Sequence, residues 1–196
     1  MHLCFAAVLN MAFLLLPQSP AKVAAADFSG QASIAGKGPA RESVVYLEGE
    51  KKAAPLAKVV VDQRGKKFIP HVTAVTVGTT VEFPNNDAIF HNVFAYFDAK
   101  KFDLGMYPRG TSKAIKFDKT GYVSLLCNVH SEMSAYIVIV DTPYFCVTDR
   151  EGVFRIKGVP PGTYTLNVWH ESGAKLTEKV QIKGEDVSTK LVLSRK

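Results

Sequence analysis

The sequence predicts an all-β protein, and three observations carry that reading. No stretch after residue 26 sustains the apolar period of a helix. Several short runs instead alternate apolar and polar residues with a period of two, the mark of a strand with one buried face. The 14 Gly and 10 Pro are spread along the chain, as many short strands and turns require. With 196 residues, 47% of them hydrophobic and 21% charged, the chain has an ordinary globular composition and the length of one domain or two small ones.

The first element is the least β-like. Residues 3–16, LCFAAVLNMAFLLL, are nearly all apolar, yet too short to span a bilayer, which takes roughly 20 residues. A polar stretch follows, and then Ala24 and Ala26, small residues that suit signal-peptidase cleavage after Ala26. Residues 1–26 therefore read as an export signal, and the expected location is periplasmic or secreted, in a bacterium. The first ten residues hold no Lys or Arg, only His2, which departs from that pattern. The competing reading is a buried apolar N-terminal helix.

Strand signals are dense from residue 57 onward. KVVVDQ is short and β-branched, and VTAVTVGTTVEF divides at Gly78 into two runs, with Val81 and Phe83 alternating against Thr80 and Glu82. Ile115 and Phe117 alternate with Lys116 and Asp118. YVSLL and SAYIVIV flank Cys127. The second is apolar on both faces, so it is expected to be a central strand. A second pattern begins near residue 142. Phe154 and Ile156 alternate with Arg155 and Lys157, and Pro160-Pro161-Gly162 marks a turn. In TYTLNVWH, Tyr164, Leu166 and Val168 face one way, and Thr165, Asn167 and Trp169 the other. KLTEKVQIKG and TKLVLS supply two more strands. Residues 142–196 are few for a core of their own. The strand–turn–strand pattern of FSGQASIAGKGPARESVVYLEG offers the missing partners. The expected organisation is thus one sandwich built from 27–56 and 142–196, with a second β unit, 57–141, inserted into it.

The formal charge of +6 falls to +5 when Lys22 leaves with the signal. The positive residues are scattered, as at Lys51-Lys52, Arg64-Lys66-Lys67 and Lys100-Lys101, with no run that reads as a nucleic-acid stripe. They suit solvated turns and strand edges. An acidic protein partner is the other reading.

The chemistry concentrates in Cys127-Asn128-Val129-His130-Ser131-Glu132-Met133, where Cys, His and Met recur every three residues. His91 lies 36 residues earlier, in NNDAIFHNVFA. Each residue alone has a bland reading: a small buried hydrophobe, a core imidazole, a gap filler. Together they form a His₂Cys set with a weak axial Met, the ligands of a blue-copper electron-transfer site. Zinc is the rival metal, but Met is a poor ligand for it. Met106 is an alternative axial residue. His71 reads as a surface histidine, His170 as a contact between the two units, and Tyr107 and Phe102 as packing residues.

Cys4 leaves with the signal, so Cys127 and Cys146 are the pair that an oxidising compartment would oxidise. A disulfide needs Cα atoms within about 7 Å. The intervening SAYIVIV, extended, spans about 20 Å. Cys146 therefore reads as a buried free thiol. No Ser-His-Asp set, phosphate-binding Gly loop or carboxylate pair stands out, and no enzymatic activity is expected.

The stretch from Lys58 to Val140 resembles the cupredoxins, Greek-key β-sandwiches of the plastocyanin and amicyanin type. FIPHVTAVTVGTTVEFPNNDAIFHNVF resembles the run that ends in their first His ligand, and CNVHSEM has the C-x-x-H-x-x-M spacing of amicyanin. The resemblance implies one type 1 copper held by His91, Cys127, His130 and Met133. It makes Asn92 the residue that ties the two ligand loops together. TDREGVFRIKGVPPGTYTLNV and SGQASIAGKGPARESVVYLEG resemble a carboxypeptidase-regulatory or transthyretin-like β-sandwich. The combination resembles plastocyanin-like proteins of bacterial methylamine use. Three functions follow as expectations: a monomeric single-electron carrier for redox partner proteins; a copper storage or delivery protein; and an adhesion-type binding module in which copper is incidental.

Overall fold

The computed structural model describes residues 24–50, 52–96 and 99–195. The export signal expected over 1–26 falls outside the described residues except for Ala24–Ala26. Ala26 is buried and pairs with Val159 as the first residue of its strand, so that strand starts one residue before the expected cleavage point. All 18 described elements are strands, as the sequence predicts. Among the described residues, no helix is long and apolar enough to cross a membrane.

The middle of the chain folds as two facing sheets. One has the order Phe102–Tyr107, His91–Ala95, Gly121–Leu126, Ser134–Val140, Val72–Thr76. The other has the order Ser112–Phe117, Thr79–Pro84, Val59–Val60. Their inner faces meet in a core that includes Val81, Phe83, Val93, Phe117, Val123, Leu125 and Ile137, the residues that the period-two alternation turns inward. Gly78 makes the turn between Val72–Thr76 and Thr79–Pro84 at φ +87°, a conformation that costs glycine little.

The two ends of the chain form the second sandwich. Ala26–Ile34 lies between Val153–Val159 and Val187–Leu193. Val44–Glu48 lies between Phe145–Val147 and Gly162–Trp169, and Lys175–Ile182 completes that sheet. Phe28, Leu47, Phe154, Ile156, Leu166, Val168, Leu191 and Leu193 fill the space between the sheets. The chain leaves the second sandwich and returns to it at neighbouring points. Lys52 Nζ meets Asp141 Oδ2 at 2.7 Å, and the Thr142 hydroxyl donates to the Leu47 carbonyl at 2.6 Å.

Ser134–Val140 shows why a strand reads as apolar on both faces. Ala135, Ile137 and Ile139 point into the middle core. Tyr136, Val138 and Val140 point the other way, into a third cluster with Val44, Val72, Phe145 and Trp169. That cluster forms an apolar part of the contact between the two sandwiches. Each fully buried valine there contributes roughly 1.5–3 kcal/mol relative to exposure.

Candidate metal centre

His91 opens the strand His91–Ala95, and Cys127 directly follows Gly121–Leu126, the adjacent strand in the sheet. Leu126 pairs with Phe94, which brings the two ligand loops to the same end of the sandwich. The chain then makes a tight turn in which the Met133 N–H donates to the His130 carbonyl at 3.0 Å. Met133 thereby enters the core as Ser134–Val140 begins.

The donor atoms of His91, Cys127 and His130 all lie within 4.8 Å of one another. His91 Nδ1 is 3.8 Å from Cys127 Sγ, and the two imidazole rings are 4.9 Å apart. A cation bonded to nitrogen at about 2.0 Å and to sulfur at about 2.3 Å, with an angle near 120°, would space those two atoms by about 3.7 Å, close to the distance found. His130 Nδ1 is buried without a hydrogen-bond partner. A buried, unpaired imidazole nitrogen is costly, and a cation between the three side chains would satisfy it. The residues present therefore fit a metal. The donor set of two imidazoles and one thiolate suits copper.

The fourth candidate separates from its rival by burial. Met133 is 1% exposed and shares the core with Cys127, whereas Met106 is 58% exposed on Phe102–Tyr107. Met133 is thus the candidate thioether that shares a core with Cys127. Asn92 is buried, and its side-chain oxygen accepts the Asn128 N–H at 2.8 Å, a bond that joins the two ligand loops.

Two residues that the sequence reading passed over hold His91 in place. Asp87 Oδ2 lies 2.7 Å from His91 Nε2. A carboxylate only accepts, so His91 donates from Nε2 and directs Nδ1 toward Cys127. Asp87 also accepts the Gly65 N–H at 2.6 Å and the Lys66 N–H at 2.9 Å. Partial burial raises its pKa, but the Lys66 N–H, the His91 ring and the Gly65 N–H together outweigh that and hold the carboxyl below its ordinary range. Asn85, fully buried, shapes the loop itself. Its amide donates to the Ile89 and Tyr107 carbonyls, and its oxygen accepts the Asp87 N–H. The run Asn85-Asn86-Asp87 is the signal for this turn, since Asn and Asp favour side-chain-closed turns.

Tyr107 is a packing residue, as expected. It is buried beside His91 in the strand register, its hydroxyl donates to the Phe83 carbonyl, and burial pushes its pKa up to about 12. Three other expectations need correction. Cys146 is free but only partly buried, because it sits on the short edge strand Phe145–Val147; burial still raises its thiol to about 11. His71 is not a free surface residue: its ring bonds the Ser134 carbonyl and Glu171. His170 turns back on its own loop toward the Ser172 hydroxyl, and it is the neighbouring Glu171 that reaches across.

A copper-containing nitrite reductase from Thermus scotoductus SA-01 is similar to half of this chain, at 26% identity and a TM-score of 0.42. The chain spans a quarter of that enzyme's length. A reduced amicyanin variant is similar over 49% of this chain and 98% of its own, at 23% identity and a TM-score of 0.40. A Cu(I) amicyanin variant gives 21% identity and a TM-score of 0.41 over the same shares. Residues 119–190 match the family described as polysaccharide lyase family 4, domain II. That stretch runs from the Cys127 strand into the second sandwich, where the sequence alone suggests a transthyretin-like module. No curated protein is significantly similar to this one.

Proposed function

We propose that this chain is an exported single-electron carrier with one type 1 copper held by His91, Cys127, His130 and Met133. The observation that carries the reading is the convergence of His91, Cys127 and the unpartnered His130 nitrogen within 4.8 Å. Copper held there supplies one-electron Cu(I)/Cu(II) chemistry. The residues keep its surroundings fixed. Asp87 sets the tautomer of His91, Asn92 ties the Cys127 loop to the His91 loop, and the core around Met133 excludes water. Ligands that barely move between oxidation states keep the cost of electron transfer low.

His130 is the part-exposed ligand, and apolar side chains crowd the adjoining loops. Phe90 is 52% and Val129 45% exposed, and both adjoin ligands in sequence. Exposed apolar side chains beside a redox centre suit docking of a partner protein. We further assign the copper unit to 57–141 and the second sandwich to 27–56 with 142–196.

The test is the visible spectrum of the full chain loaded with Cu(II). Intense blue or green colour from the Cys127 thiolate is the expected result, and Cys127→Ser should abolish it. A colourless wild type, or a coloured Cys127→Ser variant, refutes the assignment.

A further inference from the structure

One contact joins the second sandwich to the ligand loop. His71 stands between Phe68–Ile69 and Val72–Thr76, at the end of the sheet that carries the candidate site. Its Nδ1 is 3.1 Å from the carbonyl of Ser134, the residue after Met133. Its Nε2 is 2.7 Å from Glu171 Oε2, on the turn between Gly162–Trp169 and Lys175–Ile182 of the second sandwich. Both partners of the ring, a carbonyl and a carboxylate, are acceptors. Its backbone carbonyl accepts the Tyr136 N–H at 2.8 Å, and its edge meets the Tyr136 ring at 5.6 Å. His71 therefore grips Ser134–Val140 at its first and third residues.

The geometry points to Glu171 and His71 as positioning residues, through which the second sandwich sets the placement of Met133 at the copper. This rests on the copper reading above. The ligand loop needs such support. Between Cys127 and Met133, residues 128, 129, 131 and 132 are exposed, and the turn is closed by the Met133 N–H bond to His130. Its exit is where it can be held, and His71 bonds that point. Glu171 in turn fixes the His71 ring. The aromatic contact of Trp169 with Tyr136, 5.3 Å between ring centres, keeps the turn that carries Glu171 beside this strand. A polar contact between side chains 31% and 40% exposed adds little to global stability. Its effect lies in direction: where the Ser134 carbonyl sits decides where the preceding side chain sits.

The experiment compares the full-length wild type with Glu171→Ala, His71→Phe and the double variant. His71→Phe keeps a flat ring against Tyr136 but removes both hydrogen bonds. In the metal-free chain, the Met133 and Tyr136 amides should exchange about fivefold faster in either single variant, the factor that ~1 kcal/mol represents. With Cu(II) bound, both single variants should change the ratio of the thiolate-to-copper bands and shift the midpoint potential in the same direction. The double variant should add little to His71→Phe, because the two residues act in series. A wild type without thiolate-to-copper absorption overturns the copper reading, and this one with it. A coloured wild type whose band ratio and potential survive both substitutions overturns the bridge alone, as do additive effects in the double variant.

Discussion

Replacing Asp87 with Asn should destabilise the metal-free protein by about 2–4 kcal/mol at neutral pH. The carboxylate accepts three hydrogen bonds, from Gly65 N, Lys66 N and His91 Nε2, and its side chain is only 14% exposed. An amide offers one acceptor oxygen. If that oxygen keeps His91 and Lys66, the NH₂ group faces the Gly65 N–H, and one bond becomes a repulsion between donors. The two bonds that survive lose their charge assistance. Bonds to charged groups contribute roughly 1.5–3 kcal/mol and neutral ones 0.5–1.5. One lost bond and two weakened ones therefore give the stated range. Urea unfolding of the metal-free chain, followed by Trp169 fluorescence, measures it. With a slope of about 1–3 kcal/mol per molar, the midpoint should fall by about 0.7 M or more. A loss below about 1 kcal/mol would refute the three-bond account and leave Asp87 as an ordinary surface carboxylate.

Met133→Gln should retain copper but lower its midpoint potential, because an oxygen donor favours Cu(II) more than a thioether does; an unchanged potential on voltammetry would remove Met133 from the ligand set. Gly152→Ala should lower stability by at least about 1–2 kcal/mol, since Gly152 has φ +76° and an added Cβ would strike the Ala32 carbonyl; an unfolding midpoint equal to wild type would show that the turn can rearrange. The Gly158 N–H and the Arg155 guanidinium hold the Asp27 carboxyl below its ordinary range. A depressed pKa gives stability that is present above the ordinary carboxylate range and lost as pH falls through the folded-state value. Thermal midpoints measured from neutral pH to about pH 2 should therefore converge for wild type and Asp27→Asn at the acid end, with wild type the more stable at neutral pH; parallel curves would contradict this.

Much of this architecture was legible because period-two alternation is a local signal. Leu166 and Val168 fall inside and Trp169 outside because neighbouring side chains on a strand must alternate. The ligand cluster was legible for a related reason: Cys127, His130 and Met133 share one short loop, so their spacing in sequence is nearly their spacing in space. What covers Trp169 was not legible, since the Val138 face and the Trp169 face meet only when two sheets are packed together. Asp87 drew no attention in the sequence, because its three partners come from two separate segments. His71 looked like a solvated histidine for the same reason. Neither Ser134 nor Glu171 is near it in the chain, and nothing in a Pro-His turn announces them. The same limit misplaced the contact role of His170, where the local Ser172 hydroxyl captures the ring.

The double-sided burial of Ser134–Val140 bears on any attempt to dissect the molecule. The strand that leaves the ligand loop belongs to two cores at once. A fragment cut to 57–141 would carry its ligands intact and expose Tyr136, Val138 and Val140 as an apolar stripe on Ser134–Val140, with Val72 on the neighbouring strand Val72–Thr76, which lies at the sheet edge. Such a surface invites self-association. The candidate ligand loop is thus not a cassette that can be moved to another scaffold by its ends alone. Its transplantation would have to bring a lid for the far side of the strand, or replace that side with charge.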